Sequence, residues 1–242
     1  MTDYFLPNHV YFCAQGDAIV FLDLKNDQYS MLSGTKAHVF LSALSNTTTT
    51  GPAAKMTLNR PAPDSLHASP SAFSEILSSG LLTTDTREGK AVRSTQMPPA
   101  TARLFDREFS DPIRIRIQHI WRFVVSCAVA WLRLHLQRLE KTVRSVERRK
   151  VRRSARHPLD WSKASYLVAV FSRLRPLFPA NYFCLFDSLA LVEFLARHNT
   201  FPTWVFAVRT DPWGAHCWVQ EGDTLFNDGT DDVAEYLPIM TI

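Results

Sequence analysis

Three residues in the last quarter of the chain have the types and spacing for nucleophilic catalysis: Cys184, His216 and Asp228. The helical spacing of Leu185, Leu189, Val192 and Ala196 after a proline break puts Cys184 in the first turn of a helix. Unpaired backbone N–H groups and the helix dipole there stabilise a thiolate. Residues 215–219 alternate as a strand, so His216 and Trp218 share one face and Cys217 points to the other. Asp228 closes the next strand-like run, 224–228, within reach of the far imidazole nitrogen. Nucleophile on a helix N-terminus, base on a strand and orienting carboxylate beyond it form a Cys-His-Asp arrangement.

Each member also has a plain structural reading. A single cysteine is often a small buried hydrophobe, a strand histidine is often structural, and Asn227-Asp228-Gly229 reads equally as a turn. The metal alternative uses Cys184, His216 and Cys217. Neighbouring strand residues point oppositely, so His216 and Cys217 are poor joint ligands, and no fourth ligand is evident.

The elements that must position these groups are short. Asp160 opens a helix carrying Leu167, Val168, Val170 and Phe171, closed before Pro176. Strand-like residues 203–209 precede the turn at Asp211-Pro212 and the strand bearing His216. This acidic stretch, 157–242, is expected to be the catalytic domain.

At the other end, residues 10–14, 18–23 and 28–32 are β-prone runs separated by turn formers, a three-stranded meander. Ser33 is placed to cap a helix with Ala37, Phe40, Leu41 and Leu44 at helical spacing. Residues 46–70 read as a loop. A second helix starts near Ser71, carries Phe73, Ile76 and Leu77 on one face, and stops at Gly80. Residues 1–85 thus form a small winged-helix-like module. DNA binding would need clustered Lys/Arg, which these helices lack. A peptide joining an edge strand fits better; a packing module without a ligand is the bland reading.

Between them, residues 86–156 read as a polar linker followed by a basic helical segment. Net charge is −1 over residues 1–110, +10 over 111–156 and −5 over 157–242. The apolar run Phe123 to Leu132 spans ten residues, against the ~20 that crossing a membrane requires. Burial against its own domain or a partner ranks above a membrane-surface role for this helix. The arginines and lysines from Arg138 to Arg153 read as a solvated face or a docking surface. No aromatics interleave with them, which argues against nucleic acid.

The 242 residues, 46% hydrophobic and 21% charged, exclude a disordered chain or a disulfide scaffold. The four cysteines lack CxxC spacing. The acidic start, without a secretory signal, implies a reducing cytoplasmic setting.

The segment 182–191, then Ala215-His216-Cys217-Trp218-Val219, Phe226-Asn227-Asp228-Gly229 and Tyr236-Leu237-Pro238-Ile239, resembles the B-type leader peptidases of lasso peptide biosynthesis. The spacing from Cys184 to His216 to Asp228 fits that family's pattern. The first piece resembles the family's PqqD-like precursor-recognition domain; residues 86–156 match only weakly. Two departures are Asp187, where a basic residue is common, and Cys217, where a small residue such as alanine is common.

The resemblance implies an α+β chain: a PqqD-like module, a helical linker and a transglutaminase-like or papain-like cysteine protease fold with an antiparallel sheet. It implies cleavage of a lasso precursor's leader from its core by Cys184, with His216 as base and Asp228 fixing its tautomer. The Cys184 backbone N–H would be one oxyanion donor. The leader would add as a strand at Gln28, Tyr29, Ser30, Met31 and Leu32, near Phe73, Leu77 and the helix after Gly80. Its partners would be the precursor and an asparagine-synthetase-like cyclase. No bound cofactor is expected, and any ATP dependence would run through the cyclase. Rival readings are an acyl or amide transferase with the same triad, a non-catalytic adaptor delivering precursor to the cyclase, and a DNA-binding regulator.

Overall fold

Short β-prone apolar runs separated by turn formers make the first sheet, and its central strand is buried at successive positions from Ala18 to Leu22. The computed structural model describes residues 5–37, 39–40, 70–90, 95, 97–104 and 113–242, with side chains of the helix beginning at Pro70 described from residue 74. The chain divides into two compact units, Met1–Gln96 and Met97–Ile242.

In the first unit, β1 (Leu6–Pro7) is followed by β2 (Val10–Gln15), β3 (Ala18–Asp23) and β4 (Gln28–Ser33). The last three form an antiparallel sheet in the order β2-β3-β4, with Phe12 opposite Phe21 and Ile19 opposite Leu32. Gly16, at φ 64°, supplies the left-handed residue that the tight β2–β3 turn needs. Val10, Phe12, Ile19 and Phe21 pack on Phe40 of α1, the helix that starts at Thr35, and on Ile76 of α2 (Pro70–Ser78). Phe40 meets the rings of Phe12 and Phe21 edge-on at 5.6 and 4.8 Å. Lys36 Nζ, 2.7 Å from Glu75, ties the two helices together.

Two expectations change here. Ser33 belongs to β4, and α1 starts at Thr35 after Gly34 turns the chain at φ 57°. Beyond Gly80, the described residues up to Lys90 contain no helix. Leu81 and Leu82 are buried in the core, Thr83 bridges to Phe5, and β5 (Gly89–Lys90) pairs with β1. Leu41, Leu44, the loop at 46–69 and the Phe73 side chain lie outside the described residues.

The second unit begins inside the stretch read as a linker. Met97 and Ala100 pack on a core cluster with Val205 and Trp218, and β6 (Ala102–Arg103) pairs in parallel with β9 (Thr224–Leu225). That pairing is pinned by Gln220, whose Nε2 donates to the Pro98 carbonyl at 2.9 Å, and by Thr101 Oγ1, which donates to Asp223 at 2.6 Å. The sheet runs β10-β7-β8-β9-β6, with β7 (Thr203–Thr210), β8 (Trp213–Glu221) and β10 (Leu237–Thr241) antiparallel. The turn-forming and apolar pattern locates β7 and β8 closely. β9 is shorter than expected, so Asp228 lies in the loop beyond it.

Helices cover this sheet. The basic segment is two helices, α3 (Ile117–Leu136) and α4 (Leu139–Arg153), broken at Gln137-Arg138. Asp160 caps α5 (Trp161–Leu174), accepting the Lys163 N–H at 3.0 Å. Central to the unit is α6 (Cys184–Ala196), buried nearly all round from Ser188 to Ala196 and packed against α3, α5, β7 and β8.

One buried carboxylate anchors the basic helices to α6. Glu193 is fully buried and meets Arg133 of α3 and Arg149 of α4, both at 2.7 Å, and Arg197 at 2.9 Å. Burial pushes its carboxyl up, yet the three guanidinium groups together hold it below its ordinary value. Much of the positive charge read from the sequence nonetheless faces solvent: Lys141, Arg144, Arg148, Arg152 and Arg153 are exposed. Among the described residues, no helix is long and apolar enough to cross a membrane.

Candidate active site

Cys184 is the first residue of α6, preceded by Phe183 in extended conformation. Its first-turn amides have no acceptors within the helix and point toward incoming negative charge. On β8, His216 stands between the rings of Trp218 and Tyr236, with centroids 5.8 and 5.3 Å away. Its Nε2 donates to Asp228 Oδ2 at 2.7 Å. The structure therefore brings together all three residues singled out by type and spacing.

Asp228 is held by the loop that follows β9. Val219 N–H donates to Asn227 Oδ1 at 2.8 Å and Phe226 N–H to the Val219 carbonyl at 2.9 Å. The Gly229 N–H donates to the other Asp228 oxygen at 3.1 Å. A Cβ at 229 would fall 2.4 Å from Asp232 Oδ2, so that exposed side chain would have to swing aside. The Asn-Asp-Gly run is thus a turn and a support for the carboxylate at once.

The electrostatics follow from these contacts. Hydrogen bonds from Cys217 and His216, working against partial burial, bring the Cys184 thiol down from 9.0 to about 4. Asp228 and then Cys184, as hydrogen-bond partners, lift His216 from 6.5 to about 9. At neutral pH the pair is a thiolate beside an imidazolium, the reactive form of a nucleophilic cysteine.

Sequence reasoning missed four supporting residues. Cys217 does face away from His216, toward α6, but Cys184 lies where both side chains reach it. Burial, and then the neighbouring Cys184 sulfur, push the Cys217 thiol well above its ordinary value, so it stays a protonated donor. Beneath it, Ser188 Oγ donates to the Cys184 carbonyl at 2.6 Å, lies 3.4 Å from Cys217 Sγ, and accepts from Trp204 Nε1 at 2.9 Å. The signal for Ser188 was present in the sequence: a serine one helical turn after the nucleophile, on its face.

The fourth is Arg175, in the turn after α5 and itself buried. It pairs with Asp187 and donates to the carbonyls of Phe178, Ala180 and Asn181 at 3.3, 3.2 and 3.0 Å. Its guanidinium also stacks over Tyr182 at 4.3 Å. One cation thereby fixes the loop leading into Cys184. Asp187, an unexpected acid near the nucleophile, is accounted for as its counter-ion.

Among the described residues, no group of three or more His, Cys, Asp or Glu is placed to hold a metal ion. Residues 120–241 match the family model described as the transglutaminase-like superfamily. The chain belongs to that superfamily. No curated protein and no solved structure matched the chain. The superfamily includes cysteine proteases and transferases, and the matched region contains Cys184, His216 and Asp228 as well as α6 and four of the sheet's five strands, β7 to β10.

The sequence-predicted leader contacts lie in the first unit. β4 is an edge strand, and among the described residues no strand pairs with its outer side. Gln28, Ser30 and Leu32 line a cavity of ≈ 260 Å³ together with Lys36, Glu75 and Ile76. Tyr29 and Met31, at the alternate positions, point to the opposite face of the sheet. Leu77 is half-buried against the core.

Proposed function

We propose that this member of the transglutaminase-like superfamily is a cysteine peptidase that removes the leader from a ribosomally made lasso peptide precursor. The observation that carries the reading is the thiolate–imidazolium pair of Cys184 and His216 at a helix N-terminus, backed by Asp228. The edge strand β4 and its adjoining cavity support leader capture by strand addition, with alternate side chains reading the peptide.

In the proposed reaction the Cys184 thiolate attacks the carbonyl at the leader–core junction. Negative charge passes to the carbonyl oxygen, which the Cys184 backbone N–H is placed to stabilise. His216, already protonated, gives its proton to the departing amine, and the C–N bond breaks to leave an acyl thioester. Water then attacks the thioester while His216 takes a proton. Leader acid is released and the thiolate restored. The core leaves with a free amine for a separate cyclase. Holding the leader in one unit raises the effective concentration of the scissile bond at the other.

An acyl or amide transferase is the second reading, because an amine can capture the same thioester. Mass measurement of a precursor from a neighbouring open reading frame after incubation with the protein separates the cases. Leader and core masses are expected, and none with Cys184→Ala. Intact precursor that binds without cleavage would overturn the peptidase reading in favour of an adaptor. An amide-linked product would assign the transferase.

A further inference from the structure

Helix α3 buries one face and, among the described residues, leaves the opposite one exposed. His119, Phe123, Ser126, Cys127 and Ala130 face the unit's interior. On the other side Ile117, Trp121, Val124, Trp131, Leu132 and Leu136 are exposed, Ile117 by 80% and Trp121 by 69%. At 100° per residue these six fall on a single arc of the helix, interrupted only by Gln118 and His135. A contiguous apolar face of this size marks an interaction surface.

Charge identifies its occupant. Residues 113–141 contain six basic residues and one acidic one, Glu140, which Arg144 takes up at 2.6 Å; of the six, Arg133 turns inward to Glu193. Arg114 and Arg116 are exposed just before the apolar face, and Arg138 and Lys141 are exposed just beyond it. Two copies of the face docked on each other would bring these like charges together. An anionic surface satisfies them. The two tryptophans, about 15 Å apart along the helix, suit a planar boundary where the indole rings sit between apolar and polar layers. The helix is not apolar enough to span a bilayer, but an exposed apolar face between basic flanks is the composition of one lying in its surface.

We propose that α3 docks this protein on an anionic lipid surface, its apolar face in the headgroup boundary and its flanking arginines on the lipid phosphates. The proposal rests on α3 and its rim and does not depend on the reaction performed at Cys184.

The test is co-sedimentation of the full chain with vesicles of phosphatidylcholine alone or of phosphatidylcholine mixed with phosphatidylglycerol. Binding is expected with the mixed vesicles only, weakening as salt is raised. Trp121→Glu with Trp131→Glu should abolish it. Arg114→Glu with Arg116→Glu, a change outside the apolar face, should weaken it about tenfold or more. An unchanged rate of Cys184 alkylation shows that each variant is folded. Absence of binding to mixed vesicles overturns the proposal, as does equal binding to both kinds or binding that the tryptophan changes leave intact. A dimer in sedimentation velocity that the tryptophan variant loses assigns the face to a second copy instead and overturns it too.

Discussion

His216 donates its Nε2–H to Asp228 at 2.7 Å and is hydrogen-bonded to Cys184 as well. The carboxylate therefore acts on the thiol through the imidazole ring, by keeping that ring charged. Removing it should uncouple the pair.

Asp228→Ala should lower the His216 pKa from about 9 toward its ordinary 6.5. Thiolate and imidazolium coexist between about 4 and about 9 in the parent protein. In the proposed peptidase reaction, activity should rise as Cys184 loses its proton and fall as His216 loses its own, giving a bell-shaped profile. In the variant the alkaline limb should move down by up to the full His216 shift. A pH series of kcat/KM on a cleavable precursor reads both limbs. An alkaline limb that stays in place would show that Asp228 does not charge the ring.

Cys217→Ala addresses the other side of the nucleophile. The Cys217 hydrogen bond is the largest single influence holding the Cys184 thiol down. Without it the thiol pKa should rise, and the acid limb of iodoacetamide alkylation should move to higher pH. Fold should persist, because alanine fills most of the buried site and loses only the sulfur. Alkylation that follows the parent curve would remove Cys217 from the account of thiol acidity.

How much of this was legible in the sequence depends on the range of the signal. Cys184, His216 and Asp228 were readable because helix start, strand alternation and turn each have local signatures. The β2-β3-β4 meander was readable for the same reason, through its turn residues and the β-prone runs between them. Arg175 was not, since a buried arginine looks like any surface arginine until the loop it clamps has folded over it. β6 was hidden in a polar, proline-bearing stretch because two residues of parallel pairing leave no periodicity. The basic segment showed its charge but not its division: Arg133 and Arg149 turn inward to Glu193, while their neighbours face water.

Arg175 and Asp187 can be separated from the chemistry by stability measurements. Arg175→Met leaves Asp187 without its counter-ion and three loop carbonyls without their donor. Loss of one partner from a buried pair costs about 3–5 kcal/mol. Asp187→Leu in the Arg175→Met background should recover part of that loss, because no unpaired carboxylate then remains. Recovered stability without recovered activity would mark Arg175 as the residue that positions the loop before Cys184. Urea unfolding midpoints and kcat for the single and double variants supply the comparison.

Glu193 should set the acid stability of the second unit. Its folded pKa lies below the ordinary value of 4.5, so its contribution is present above that value. As pH falls through the folded pKa the carboxyl protonates, and three arginines are left facing one another around a neutral group. Glu193→Gln keeps the shape and removes the charge at every pH. The variant should be less stable at neutral pH by about 3 kcal/mol or more, and its stability should vary less with pH on the acid side. Unfolding by urea at neutral and acidic pH measures both effects. Parallel losses in the two proteins on acidification would move the acid-sensitive group elsewhere in the fold.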